Sequence, residues 1–337
     1  MCHREEVQNQ IRNNLDRKLE TVPIFIRRFF KMQKSSKTSN CVFGYIVNML
    51  QWLIDNNRIN EKKVLDITKE DMKNVTGLDL MDYFDDLLEG KTVRKNSIES
   101  LHTKINVFHS FWNYLYKLVK CVDSNIVSDI LENTNIYKPE NTNKKPLIPT
   151  YQELKKFLDN LDNREENFNS MRDKTMISLL LGSGIRSDEL IGLDITDVFL
   201  EENPYIHIVG KGNRKRNVKI IESSANKLRE YIQDRSSFLD GFETKSLFVS
   251  NRKNRISKTA FKNIFLKYSN GEIYPHELRH YVGSVIANEK NLGVLVAKEQ
   301  LGHSSLDTTD KYYLKVIESI DPITRKYMKE WRICYGR

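Results

Sequence analysis

The sequence predicts a mainly α-helical protein of two domains with one small β-hairpin or sheet. Three observations carry that expectation. Apolar residues recur at intervals of three and four through most of the chain, the period of an amphipathic helix. One stretch, Asn133 to Pro149, is rich in asparagine, lysine and proline and breaks all periodicity. Only between Tyr205 and Ile221 does the pattern become two short β-prone runs about a Gly-Lys-Gly-Asn turn. With 337 residues the chain is long enough to bury two cores.

In chain order, residues 1–21 read as a leader: Met1 to Asp16 is polar and charged, with no apolar run of signal-peptide type. Residues 22–132 form a helical domain. Val42, Ile46, Met49, Leu50 and Leu53 share one helix face, Leu80 to Leu88 supplies another helix, and Ile98, Leu101, Ile105, Phe108, Trp112, Leu115 and Leu118 line a third. His102 and His109 lie seven apart on that third helix, but without a carboxylate or thiol companion they read as packing or surface residues. Residues 133–149 are the linker. The second domain, 150–313, opens on a capping box, Thr150 and Glu153, ahead of the helix carrying Leu154, Phe157, Leu158 and Leu161. Tyr205 to Val209 and Asn217 to Ile221 are read as the two strands of the hairpin, with Lys211 on its tip. Residues 314–337 form a tail whose Val316, Ile317, Ile320, Tyr327, Trp331 and Ile333 call for burial against the chain's own domain or a partner.

Six residues of the second domain stand in short readable motifs: Arg186, Lys211, His276, Arg279, His303 and Tyr312. Gly182 to Leu190 is a Gly-rich turn running into a helix that opens with Arg186. In Pro275 to His280, His276 and Arg279 stand three apart, on one side of a helix. Leu301-Gly302-His303 follows an apolar helical stretch, and Tyr312 comes nine residues after His303. No metal-ligand spacing and no phosphate-cradling glycine loop accompanies these side chains.

In these motifs the chain resembles the tyrosine recombinases, the phage-integrase and Xer family. That family's G-x-R-x-x-E-L, G-K-G, H-x-L-R-H, L-G-H and T-T-x-x-Y elements stand here at Gly184 to Leu190, Gly210 to Gly212, His276 to His280, Leu301 to His303 and Thr308 to Tyr312. Five short matches in the family's order carry far more weight than any one of them. The resemblance implies a helical core-binding domain of SAM-like type followed by a mostly helical catalytic domain. It further implies a site-specific DNA recombinase that cleaves and rejoins strands through a 3′-phosphotyrosine and a Holliday junction, in integration, excision or dimer resolution.

The residue types suit such chemistry. A phosphodiester under attack gathers charge on its non-bridging oxygens, and planar guanidiniums match that geometry, so Arg186 and Arg279 are the expected clamp. Tyr312 is the expected nucleophile. Its neighbour Tyr313 points about 100° away on a helix, and the spacing from His303 favours Tyr312. The resemblance assigns protonation of the leaving 5′ oxygen to Lys211, and phosphate bonding and proton transfer to His276 and His303. Glu189, three residues after Arg186, is placed to orient that arginine or its neighbours. His280 reads as a structural or DNA-contacting histidine. No cofactor is expected.

Composition sets the partners. Fifty-four Lys and Arg face 45 Asp and Glu, a net charge of +9, which favours a polyanion. The excess is spread over both halves, with Arg27, Arg28 and Lys31 in the first domain and Arg214, Lys215 and Arg216 on the hairpin as candidate DNA contacts. Lys211 shares that hairpin with enough cations for a merely solvated basic loop to compete with its catalytic reading. Four cysteines, Cys2, Cys41, Cys121 and Cys334, form no C-x-x-C pair, as for reduced thiols in a cytoplasmic, nucleoid-associated protein. No membrane partner is expected. The resemblance implies a homotetramer on paired DNA sites, with the tail docking on the next protomer of a closed ring. Two other readings compete: DNA relaxation of the type IB topoisomerase kind, and a catalytically silent DNA-binding relative.

Overall fold

The computed structural model describes residues 3–92, 95–134, 137, 148–210, 215–289, 291–302 and 321–335. It is mostly helical with one small antiparallel sheet, and the chain divides into two compact units, residues 5–143 and 144–337.

The first unit contains α1 (His3–Leu19), α2 (Ile24–Lys31), α3 (Ser36–Asp55), α4 (Lys69–Asn74), α5 (Gly77–Glu89), α6 (Ile98–Tyr114) and α7 (Ile126–Asn133). The expected stripes become its core: Ile46, Met49, Leu50, Leu80, Phe84, Leu101, Ile105, Phe108 and Trp112 are all fully buried. Phe84 stacks on Phe108 with ring centroids 5.8 Å apart. Helices α3 to α7 each start where a side chain takes up an orphan amide. Ser35 accepts from the N–H of Thr38, while Thr68 with Asp71 and Thr76 with Asp79 form reciprocal capping boxes.

Three features differ from the sequence reading. Residues 3–19 are a helix whose Leu15 and Leu19 join the core, so this stretch is part of the unit. Its stripe, Val7, Ile11, Leu15 and Leu19, has one apolar residue per turn among charged neighbours, too thin to stand out. The helix carrying Trp112 changes to a π-turn over Leu115–Val119, which leaves Leu118 exposed. Tyr137, inside the stretch expected as linker, is buried against Phe84 and donates its hydroxyl to Asp85 at 2.9 Å.

The second unit contains α8 (Tyr151–Asp162), α9 (Phe168–Ser183), α10 (Ser187–Gly192), α11 (Glu222–Leu239), α12 (Lys258–Ser269), α13 (Pro275–Asn288), α14 (Gly293–Leu301) and α15 (Pro322–Cys334). The capping box at Thr150 and Glu153 forms as expected: Thr150 donates its N–H to Glu153 Oε2 at 2.7 Å, and Glu153 N–H returns to Thr150 Oγ1 at 3.3 Å. β1 (Val198–Phe199), β2 (Tyr205–Val209) and β3 (Lys215–Lys219) make the sheet in that order, all antiparallel. The returning strand thus starts two residues earlier than the expected Asn217, and Arg216 lies within it, opposite Ile208.

The tail helix α15 packs on its own unit. Trp331 and Met328 belong to the second core, Tyr281 and Thr324 share a hydroxyl hydrogen bond of 3.0 Å, and Arg332 Nε donates to Glu289 at 3.0 Å. Of the apolar groups of 321–335 that the sequence offers to a neighbour, the single chain therefore buries Trp331 and packs Tyr327 against its core in cis, and leaves Ile333 exposed. Among the described residues no helix is long and apolar enough to cross a membrane.

Candidate active site

The site is assembled on the turn between α9 and α10. Helix α9 stops at Gly184, whose φ of +67° is left-handed and favours glycine. A Cβ there would also lie 2.7 Å from Leu301 Cδ2 and 3.0 Å from Val282 Cγ1. Gly182 is required by packing: a Cβ at that position would meet Ser224 Oγ of α11 at 2.1 Å. These contacts let α9, α11, α13 and α14 close in behind the turn, and Arg186 emerges from it at the head of α10.

Glu189 is the electrostatic centre of the site. Its Oε2 accepts the Arg186 backbone N–H at 2.9 Å, and its Oε1 accepts Arg186 Nη1 at 3.2 Å. Arg216 adds two parallel bonds, Nη1 to Oε1 and Nη2 to Oε2, each 3.0 Å. The Glu189 side chain is 5% exposed and that of Arg186 42%. Burial pushes the Glu189 carboxyl up, but Arg216, and then Arg186, outweigh it and hold the group below the ordinary carboxylate value. It is thus an anion fixed among arginines.

Arg279, on α13, is only 2% exposed. Its Nη1 donates to the Gly184 carbonyl at 2.5 Å and its Nη2 to the Leu301 carbonyl at 2.6 Å, so it ties the turn before Arg186 to the end of α14, just ahead of Gly302 and His303. Gln300 ties the same elements a second time, donating through Nε2 to the Ser183 carbonyl at 2.9 Å and the Lys219 carbonyl at 2.8 Å. Neither the carbonyl brace of Arg279 nor the role of Gln300 is readable from sequence, because both rest on backbone acceptors far along the chain.

His276 is exposed in the first turn of α13, which Pro275 opens and Glu277 caps by accepting the Tyr274 N–H at 2.9 Å. Burial, then the charges of Arg279 and Arg186, lower its pKa from the usual imidazole value. Both guanidiniums are thus within electrostatic reach of this imidazole and disfavour its protonation. His280 stands edge-on to His276 with centroids 4.4 Å apart, and burial, then His276 and Arg279, push it down to about 4.

The structure therefore brings together Arg186, Glu189, His276 and Arg279. Lys211, Arg214, His303, Tyr312 and Tyr313 lie outside the described residues. Of the candidate DNA contacts, Arg28, Lys31 and Lys215 are exposed. Arg27 is bound to its own turn, donating to the Val22 carbonyl at 2.9 Å and the Glu20 carbonyl at 3.3 Å. Arg216 is directed onto Glu189, with its side chain 20% exposed. Strand alternation is the signal that marks it: Arg216 shares the inward face with Val218, between outward Lys215 and Asn217. His109 meets Ser128 Oγ at 3.0 Å. Among the described residues no three His, Cys, Asp or Glu side chains are grouped to hold a metal.

The described part of the site is thus an exposed guanidinium, an imidazole of lowered pKa and a buried arginine that braces the Gly184 and Leu301 carbonyls. The phage integrase family model matches residues 150–318, about half of the chain and the whole of this site. A tyrosine recombinase XerC of Caldanaerobacter subterraneus subsp. tengcongensis is 28% identical over 255 residues, covering 74% of this chain and 68% of that one. The TnP I resolvase of Bacillus thuringiensis is 26% identical over 283 residues, covering 83% and 91% respectively. Among solved structures, the XerH site-specific recombinase bound to its difH substrate in a pre-cleavage complex has the same fold, with a TM-score of 0.60 at 20% identity over 84% of this chain and 79% of that one. The chain belongs to the phage integrase family, the tyrosine recombinases.

Proposed function

We propose that this protein is a site-specific recombinase acting on double-stranded DNA through a 3′-phosphotyrosine. The observation that carries the reading is the convergence of Arg186 and Arg279 on His276, with Glu189 holding Arg186, inside the segment that matches the family. In the proposed step the Tyr312 oxygen bonds to phosphorus while the bond from phosphorus to the 5′ oxygen breaks. The phenolic proton leaves through a histidine, and Lys211 protonates the departing 5′ oxygen. Arg186 and Arg279 offset the charge gathering on the phosphate. The phosphotyrosine keeps the energy of the broken bond, so a 5′ hydroxyl of another strand reverses the step without ATP. Two such exchanges pass through a Holliday junction.

Assembly is proposed as a homotetramer on two paired sites in the cytoplasm, at the nucleoid. There α15 would exchange its place on its own unit for one on the next protomer. Both an XerC and a TnP I resolvase stand among the relatives, which supports a role in DNA resolution, with a mobile-element role as the alternative.

The test uses a pool of duplexes with a randomised core and a nick that lets the cleaved end diffuse away. Full-length protein should form an SDS-stable adduct, and sequencing the trapped DNA gives its site. Tyr312→Phe should bind that site and form no adduct; loss of the adduct in Tyr313→Phe with its retention in Tyr312→Phe would reassign the nucleophile. On a 5′-bridging phosphorothiolate, whose thiolate leaves unprotonated, Lys211→Ala should recover cleavage. If it does not, the acid is His276 or His303.

A further inference from the structure

Arg216 faces Ile208 across β2 and β3. Opposed residues of an antiparallel pair share one side of the sheet, and Ile208 is in the core, so Arg216 is turned inward. Its guanidinium forks onto Glu189 through two bonds of 3.0 Å, a planar match that lysine does not make. The same group lies against Gly302: a Cβ there would stand 2.8 Å from Arg216 Nε and 3.0 Å from Cζ. Nε itself is buried and has no hydrogen-bond partner among the described residues. One side chain thus touches the hairpin strand, the head of α10 and the turn that ends α14.

Glu189 accepts four hydrogen bonds, two from Arg216 and two from Arg186. Of those last two, only one comes from the Arg186 guanidinium. A buried carboxylate deprived of Arg216 would satisfy itself from the cation already bonded to it, drawing Arg186 into a two-bond fork of its own. Resting on the catalytic reading above, we propose that Arg216 is a positioning residue and not a DNA contact. By saturating Glu189 it leaves the Arg186 guanidinium available to the scissile phosphate, and by packing on Gly302 it sets the register between the hairpin and the turn leading to His303.

The test compares full-length variants on the nicked duplex recovered above, measuring affinity and adduct formation separately. Arg216→Gln should bind DNA within about threefold of wild type while its adduct rate at saturating DNA falls about 100-fold, the loss expected of a displacement on the order of 1 Å. Arg216→Lys, which keeps the charge without the fork, should fall between the two, and it carries the same comparison where Arg216→Gln fails to fold. Arg216→Gln combined with Glu189→Gln removes the carboxylate that captures Arg186, and should be about tenfold faster than Arg216→Gln alone, a coupling that independent residues do not show. Weaker binding, a salt dependence shallower by about one phosphate and an unchanged adduct rate at saturation would make Arg216 a DNA contact and overturn the proposal. A folded double variant no faster than the single one overturns it equally. A wild-type chain that forms no adduct on any member of the pool sinks the catalytic reading and this one with it, whereas the other two results sink this one alone.

Discussion

Arg279 and Arg186 carry the same guanidinium in opposite settings. Arg279 is almost wholly enclosed and supports two buried carbonyls, those of Gly184 and Leu301. Arg186 is 42% exposed and leans on Glu189. Lysine at 279 keeps the charge but cannot reach both carbonyls, and each buried acceptor left unpaired costs about 1–3 kcal/mol. Arg279→Lys is therefore expected to lower the chemical-denaturation midpoint as well as adduct formation. Arg186→Lys should reduce adduct formation and leave the midpoint nearly unmoved. The paired histidines make a second prediction. His280 is pushed down to about 4 and His276 is lowered in the folded chain, against 6.5 for an ordinary imidazole. Between about pH 4 and 6.5 the unfolded chain then binds more protons, so stability rises with pH there. It is present in full above pH 6.5 and declines as the solution is acidified toward pH 4. Melting temperatures across that range should show the slope, and His280→Asn should flatten it.

At the scale of elements, the approach of α9 to α11 decides whether the turn before Arg186 exists. A methyl at Gly182 would meet Ser224 Oγ at 2.1 Å and Ser224 Cβ at 2.6 Å. Gly182→Ala is expected to destabilise the second unit by about 1–3 kcal/mol, read from the shift of its thermal transition, and to reduce cleavage through the displaced turn. How well each element could be read follows from where its information lies. Helices α3, α5, α6 and α8 are legible because their apolar stripes are dense and, at α8, the capping box is a local pair. Helix α1 is not, since one apolar residue per turn is a weak signal amid charge. The start of β3 is not legible, because Lys215 and Arg216 look like turn residues until Arg216 is paired with Ile208. Within the site, Arg186, Glu189, His276 and Arg279 are legible as motif members. The braces around them are not, since Arg216 onto Glu189 and Gln300 onto Ser183 are fixed only by tertiary packing.

For the whole molecule the tail helix matters most. Trp331 is fully buried in the second core, and truncating a buried tryptophan to alanine costs about 3–5 kcal/mol. Trp331→Ala should therefore lower the thermal transition sharply even without DNA. Deleting residues 319–337 would remove the same anchor, so lost recombination by that truncation would report folding as much as assembly. A substitution on the outer face separates the two. Ile333 is 64% exposed beside a cleft of about 180 Å³ between α15 and the base of β3. If α15 serves the proposed ring, Ile333→Asp should keep the melting temperature and single half-site affinity while losing cooperative filling of the second half-site in a gel-shift titration. Equal cooperativity in both proteins would place the ring contact elsewhere. Trp331 also offers an optical signal. The chain has three tryptophans, and the other two, Trp52 and Trp112, lie in the first unit. With phenylalanine at those two positions, Trp331 becomes the sole indole emitter, blue while enclosed in its own unit and red-shifted once it meets water. Stopped-flow emission after mixing with DNA would then time the departure of α15 from its own chain without any attached dye.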